Sequence, residues 1–243
     1  MNYLYDGSFD GLLTCIYWNY YEKKASGIYN INQYQQSIIE DYKEIETQTE
    51  LAEKVYSAIE QKISKNALDY VYYCFLSNNH EKENFILDFV KFGFKLGKNT
   101  LDYYSHEKVL PIQEIYKKVS FERHKFLGLL RFSDIKDILY AKYSPDHNIS
   151  VLIADHFADR LKNEKFIIHD VRRNIAVVYS ENNWYLTDFK LQENLEYSKE
   201  EKAFQRLWRG YFNQLAIKER KNKNLQFQHV PARYRNNLIE FKI

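Results

Sequence analysis

The feature that most constrains the fold is a change in the spacing of apolar residues near position 119. Before it, they recur every three or four residues, as in Leu51, Val55 and Ile59, which is typical of amphipathic helices. After it, β-branched and aromatic runs are short and lie between polar loops, which is typical of antiparallel strands. We therefore predict an α+β protein, with a mostly helical N-terminal half and an antiparallel sheet flanked by helices in the C-terminal half.

The same patterns predict the boundaries of domains and elements. We expect a mainly helical region over 1–118 and an α+β domain over 119–243, the two forming one compact unit. A strand is predicted at 3–5, and Ser8 is expected to cap the helix that follows. Further helices are predicted over 48–64, 66–77, 81–97, 149–161 and 199–218, and further strands over 126–132, 138–143, 165–170, 175–180 and from 183 onward.

Composition argues against several classes of protein. The chain has two cysteines, Cys15 and Cys74, and no CxxC pair, so we expect no metal site, no iron–sulfur cluster and no cofactor. Apolar runs fall well short of the about 20 residues that span a bilayer, and the N-terminus lacks the basic start and apolar stretch of a signal peptide. These features predict a cytoplasmic protein that does not associate with membranes.

The net charge of +2 hides an uneven distribution. Residues 200–243 carry ten Lys or Arg against four Asp or Glu, a local charge of +6, whereas the rest of the chain carries −4. Basic residues beside aromatic ones, as in Arg233-Tyr234, favour binding to single-stranded or distorted nucleic acid, although a solvated helix face would carry similar charge. The candidate DNA-binding residues in this segment are Arg209, Arg220, Lys221, Lys223 and Arg233.

The helix predicted over 149–161 is the most informative segment for chemistry. Apolar residues cover almost its whole circumference, which predicts a buried helix, yet it also contains Asp155, His156, Asp159 and Arg160. These four side chains could form a structural network that ties the helix to the sheet. Alternatively they could line an anion or nucleotide pocket, with Arg160 binding the anion and His156, Asp155 or Asp159 as the catalytic candidates.

Two other groups of residues complete the list of candidates. Arg173 lies in a predicted tight turn and Arg131 follows an apolar run, so both could contact phosphate, although polar residues are also common in turns for structural reasons. The C-terminal helix carries apolar residues at helical spacing, which predicts that this stripe belongs to the core. Its members are Phe204, Leu207, Trp208, Tyr211, Phe212 and Leu215.

Several stretches together resemble a bacterial family of DNA metabolism proteins. They are YDGSFDGLL (5–13), HKFLGLLRF (124–132), SPDHN (144–148), ADHFADR (154–160), LWRGYF (207–212), AIKERKN (216–222) and HVPARYRNNLIEF (229–241). The family is linked in genomes to a radical SAM protein of DNA modification or repair. Its C-terminal domain of unknown function also occurs fused to uracil-DNA-glycosylase-like domains. Arg235 departs from the family pattern, which has an aromatic residue there.

The resemblance implies DNA as the substrate and a radical SAM protein as the partner, and that partner would hold the iron–sulfur cluster and SAM. The leading hypothesis is therefore a cytoplasmic accessory protein of DNA repair or modification that binds DNA and acts with this partner. One alternative is an enzyme that acts on a nucleobase or phosphate through His156, an aspartate and Arg160. The other is a structural interaction module without DNA contact.

Overall fold

The computed structural model describes residues 1–35, 40–191, 197–215, 217 and 222–241. In this part of the chain the protein is a mixed α+β structure, as predicted, with two compact units, Met1–Ser120 and Phe121–Ile243. The helices are α1 (Phe9–Tyr21), α2 (Thr49–Lys62), α3 (Lys65–Phe75), α4 (Lys82–Leu96), α5 (Leu110–Leu129), α6 (Ser150–Arg160), α7 (Lys199–Leu215), α8 (Lys223–His229) and α9 (Ala232–Arg235), with 3-10 turns at Gly97–Asp102 and Ile239–Phe241. The strands are β1 (Asn2–Tyr5), β2 (Ile28–Asn30), β3 (Tyr42–Glu44), β4 (Ser133–Ile135), β5 (Ile138–Tyr143), β6 (Phe166–Asp170), β7 (Ile175–Ser180) and β8 (Asn183–Asp188).

The first unit contains a small parallel sheet that the sequence only partly predicted. β1 lies between β2 and β3 and runs parallel to both. The predicted strand at 3–5 is confirmed, and so is the cap, because Ser8 Oγ accepts the Gly11 N–H at 2.9 Å. β2 and β3 have three residues each and were not predicted, since such short strands leave no clear alternation.

The core of the first unit includes buried tyrosines whose polar ends are paired. Tyr5 is 2% exposed, and its hydroxyl donates to the carboxylate of buried Glu83 at 2.9 Å. Tyr3 is fully buried and donates to the Lys23 carbonyl at 2.6 Å. α1 packs against α2, and α4 ends at Gly97, whose φ of +71° favours glycine.

The second unit is built on a five-stranded sheet in the order β4-β5-β6-β7-β8. β5 and β6 are parallel and are connected through α6, whereas the other neighbours are antiparallel. Two-residue turns join β4 to β5 and β7 to β8, and in each turn both residues have positive φ (Lys136 and Asp137, Glu181 and Asn182). This geometry is that of type I′ turns, whose twist matches that of the strands they join.

One face of this sheet packs into the core of the second unit. Phe166 and Ile168 of β6 are fully buried, and Phe166 stacks on Tyr179 with ring centroids 4.8 Å apart. Tyr143 contacts Phe126 of α5 edge to face at 5.1 Å. α6 covers part of the sheet through its contacts with β7 and β8.

Three sequence predictions about the second unit are wrong. Residues 126–129 are the end of α5 rather than a strand, because the apolar run there continues a helix that is already formed. α6 is not buried all round: Ile153, Ala154 and Phe157 are buried, whereas Asp155 is exposed.

The third wrong prediction concerns the apolar stripe of α7, most of which is exposed, whereas its members Trp208 and Phe212 contact the rest of the unit. Phe204 is 73% exposed, Leu207 70%, Tyr211 56% and Leu215 61%. The reason is that α7 contacts its own unit along one edge of the stripe and the side next to it. On that side, Gln205 donates to Ser133 Oγ at 3.3 Å and Phe212 contacts Phe241 at 5.8 Å.

Candidate nucleic-acid interface

A single carboxylate holds two arginines at the surface of the second unit. Asp146 lies in the loop between β5 and α6, and its Oδ1 is 3.1 Å from Arg172 Nη1 while its Oδ2 is 2.8 Å from Arg233 Nε. Arg172 comes from the β6–β7 turn and Arg233 from α9. Their side chains are 53% and 57% exposed. Both guanidinium groups are therefore oriented by an ion pair and remain accessible to a ligand.

A buried glutamate fixes the loop that carries Asp146. Glu122 is 4% exposed and accepts the backbone N–H groups of Asp146 at 2.7 Å and His147 at 2.8 Å. It also accepts the Tyr234 hydroxyl at 2.5 Å. Burial, together with the neighbouring Glu122 carboxylate, raises the pKa of Tyr234 above its usual value. Glu122 therefore links α5, the 144–148 loop and α9.

Arg173, a predicted phosphate-binding residue, closes the turn onto that loop. Its Nη1 is 2.8 Å from Oδ2 of the fully buried Asp170, and its Nη2 donates to the Asp146 carbonyl at 2.6 Å. Asp170 also accepts the Arg172 N–H at 3.0 Å. The three arginines of this cluster balance Glu122, Asp146 and Asp170, so the cluster adds rigidity rather than net positive charge.

Arg131 lies beside the middle of α7, next to Trp208. Its Nη2 is 2.8 Å from Glu240 Oε1, and Nη1 donates to the Gly128 carbonyl at 2.8 Å. Its guanidinium lies 5.6 Å from the centre of the Trp208 ring, and the Trp208 Nε1–H donates to Glu240 at 3.3 Å. Arg131 thus connects the end of α5 to α7 and to the C-terminal 3-10 turn.

Arg235, which we expected to be aromatic from the family resemblance, contacts two aromatic rings. Its guanidinium lies 3.9 Å from the centre of the Phe227 ring and 4.6 Å from that of Phe241. Its Nε donates to the Val230 carbonyl at 2.9 Å. The Arg235 guanidinium is therefore held against two aromatic rings, which attract a flat cation through cation–π interactions.

α7 presents two exposed faces that point in opposite directions. At 100° per residue, the basic residues of the helix gather on one side and its apolar residues on the other. The basic face consists of Lys199, Lys202, Arg206 and Arg209, with Arg209 the least exposed. The apolar face consists of Phe204, Leu207, Tyr211 and Leu215. The predicted binding residue Arg209 thus lies on the basic face.

The side chains predicted as a catalytic group on α6, all of them described, form no hydrogen bonds or ion pairs with one another. Asp155 accepts the Trp184 Nε1–H at 2.7 Å, while Asp159 and Arg160 are exposed. His156 Nε2 is buried and has no hydrogen-bond partner in the described part of the chain. Among the described residues, no carboxylate forms a hydrogen bond or ion pair with His156, and its catalytic role stays a prediction.

The remaining predicted residues lie in or near α8. Lys223 is the exposed first residue of α8, after Asn222, whose side chain accepts the Leu225 N–H at 3.0 Å. Arg220 and Lys221 lie outside the described residues. Glu122 and Asp146 were missed as members of the site, although Asp146 and Tyr234 both fall within stretches, SPDHN and HVPARYRNNLIEF, that carry the family resemblance.

Comparison with known families gives a match that covers part of the first unit and most of the second. Residues 80–240 match a family described as a domain of unknown function, DUF4130. The chain belongs to this family. The match contains every residue of the Asp146 cluster and the whole of α7. No curated protein and no solved structure is significantly similar to the chain.

Two further findings concern metals and membranes. Among the described residues, His, Cys, Asp and Glu side chains do not gather in groups of three that could hold a metal ion. In the same part of the chain, helices are too short or too polar to cross a membrane. Cys15 and Cys74 are buried free thiols, and burial raises the pKa of each to about 12.

Proposed function

We propose that this DUF4130 protein is a cytoplasmic accessory factor of DNA repair or modification that binds DNA and a radical SAM partner. The observation that carries the proposal is the pair of opposite exposed faces on α7, one basic and one apolar. A helix with these two surfaces suits a protein that connects a polyanion to another protein. The family resemblance supplies the identity of the partner.

DNA is assigned to the basic face. Lysine and arginine side chains that neutralise phosphates release counterions, which gives affinity without sequence preference. Lys202, Arg206 and Arg209 of the basic face belong to the segment 200–243, whose charge is +6. The exposed Phe227 ring in the same segment favours single-stranded or distorted DNA, because unstacked bases can pack on such a ring.

The DNA assignment is tested with a labelled single-stranded oligonucleotide and fluorescence anisotropy over a range of salt concentrations. The double variant Lys202→Ala/Arg206→Ala should weaken binding and reduce the slope of log K against log salt by about 1.4, since each lost phosphate contact removes about 0.7. Lys162→Ala/Lys165→Ala is the matched control, because it removes two exposed charges elsewhere in the same unit. Equal losses in both variants, or no binding by the wild type at low salt, would contradict the proposal.

The radical SAM partner is assigned to the apolar face. Exposed apolar patches of this kind mark protein interaction sites. Co-expression with the radical SAM protein of the same genome, followed by size-exclusion chromatography, should give a joint species. Phe204→Glu/Leu207→Glu should abolish co-elution while leaving DNA binding intact, and Lys202→Ala/Arg206→Ala should do the reverse. Co-elution that survives the glutamate substitutions would place the partner elsewhere.

A further inference from the structure

The first unit holds a cleft of about 670 Å³ that the proposed function does not use. It lies between α1, α2 and α4, and all the residues of these three helices are described. Aromatic side chains and two lysines line it: Tyr17, Tyr20, Tyr21, Phe94, Lys54 and Lys62. Val55 and Ala58 of α2 also contribute to its wall. Its volume falls in the range of about 300–1,000 Å³ found for small-molecule sites.

The aromatic rings of this cleft leave open surface for a flat ligand. Tyr17 and Tyr21 stack with centroids 4.4 Å apart and planes at 25°, while Tyr20 and Phe94 lie 5.7 Å apart. Tyr21 is nevertheless 73% exposed and Tyr20 45%. Rings that are held in place by neighbouring rings and still exposed provide a rigid platform for stacking.

The lysines add positive charge at the same cleft. Lys62 Nζ lies 5.7 Å from the centre of the Phe94 ring. Lys54 and Lys62 are eight residues apart on α2, which separates their backbone positions by about 12 Å along the helix axis. Burial raises the pKa of Tyr20, so its hydroxyl stays protonated and can donate a hydrogen bond to an anion. The cleft therefore suits a ligand that joins an aromatic ring to a negative group.

The net charge of the first unit favours a small ligand over a nucleic-acid strand in this cleft. Residues 1–120 contain 13 Lys or Arg and 17 Asp or Glu, a net charge of −4, so the unit as a whole repels a long polyanion. A small ligand with one phosphate can pair with Lys54 or Lys62, and it is too short to be repelled by the negative charge of the rest of the unit. We propose that this cleft binds a nucleoside monophosphate, with the base stacked on the Tyr20 and Tyr21 rings and the phosphate beside Lys62 or Lys54.

The test is isothermal titration of the full chain with adenosine 5′-monophosphate, adenosine and inorganic phosphate. The monophosphate should bind saturably, with a dissociation constant below about 1 mM. Adenosine and phosphate should each bind at least about tenfold more weakly, because each lacks one of the two recognised groups. Tyr21→Ala should weaken binding of the monophosphate by about 5- to 150-fold, the range for loss of one stacking contact.

Charge and position provide the controls. Lys62→Gln should weaken binding of the monophosphate more than that of adenosine, whereas Tyr56→Ala and Lys65→Gln, exposed positions outside the cleft, should change neither. Circular dichroism checks that each variant is folded. Binding of the monophosphate should be unchanged in Lys202→Ala/Arg206→Ala, so failure of the DNA proposal and failure of this one are distinguishable.

Three outcomes would overturn the proposal. The first is no saturable binding of the monophosphate up to several millimolar. The second is equal affinity for the monophosphate and adenosine, or equal losses in Tyr21→Ala and Tyr56→Ala. The third is a single-stranded oligonucleotide that binds more tightly than the monophosphate and loses that binding in Tyr21→Ala, since the cleft would then hold a strand.

Discussion

Replacing Glu122 by Gln tests whether this one buried carboxylate holds the 144–148 loop in place. Glu122 Oε1 accepts the Asp146 N–H and the Tyr234 hydroxyl, and Oε2 accepts the His147 N–H. Glutamine keeps one oxygen for the first two donors and presents an NH₂ group to the third. The substitution therefore sets two donors against each other in a site where Glu122 is 4% exposed.

The expected cost follows from these contacts. Losing one charge-assisted hydrogen bond and leaving a buried N–H without an acceptor costs about 2–4 kcal/mol in the free energy of unfolding. With a urea m-value of about 2 kcal/mol/M, the midpoint of unfolding of the second unit should fall by about 1–2 M. Glu164→Gln, an exposed carboxylate of the same unit, should shift it by less than about 0.25 M.

Tryptophan fluorescence during urea unfolding is a suitable assay. Trp184 and Trp208 lie in the second unit and Trp18 in the first, so a Trp18→Phe background makes the emission report on the second unit alone. Tyr234→Phe, alone and combined with Glu122→Gln, should show non-additivity of at least about 0.5 kcal/mol, because both changes affect the same network. A Glu122→Gln midpoint equal to that of Glu164→Gln would refute the reasoning.

Three other predictions concern pH and exposure. Burial lowers the pKa of His169, so its contribution to stability should be complete above the unfolded pKa of about 6.5 and fall as the pH drops below that value. His169→Gln should therefore reduce the change in the urea midpoint between pH 7 and 5, and an unchanged pH dependence of the midpoint would contradict this. Burial raises the pKa of Tyr140 to about 12, so stability should hold up to about pH 10 and fall as the pH rises towards 12. Tyr140→Phe should reduce this loss of stability at alkaline pH, as measured by circular dichroism during urea unfolding. Phe204→Glu/Leu207→Glu should change the free energy of unfolding by less than about 1 kcal/mol, since both side chains are at least 70% exposed. A loss above about 3 kcal/mol would mean that these side chains are buried in solution.

Local pattern predicted much of the fold. The bounds of β5 and β7 agree with prediction to the residue, because each strand is an apolar run with polar turn residues on both sides. The end of α5 was not predicted, because Phe126–Leu130 is apolar throughout and such a run fits a helix and a strand equally well. The spacing of apolar residues distinguishes a helix from a strand only where polar residues alternate with them.

The candidate site was predictable by residue type but not by partner. Arg173 and Arg233 were selected because a turn or a basic segment placed them at the surface. Their organisation depends on Asp146 and Glu122, and the Tyr234–Glu122 hydrogen bond joins residues 112 positions apart. Contacts at that separation leave no periodic trace in the sequence, so local patterns cannot assign them.

α7 shows what the spacing of apolar residues can predict and what it cannot. A stripe at Phe204, Leu207, Tyr211 and Leu215 correctly predicts an amphipathic helix, but not which molecule covers the apolar side. Exposed apolar surface forgoes about 25 cal/mol of stabilisation for each Å² that burial would remove from water. Since the described part of the second unit packs along Gln205 and Phe212 instead, that stabilisation remains available to a partner protein. With the basic residues on the opposite side, the helix can bind that partner without covering the surface assigned to DNA.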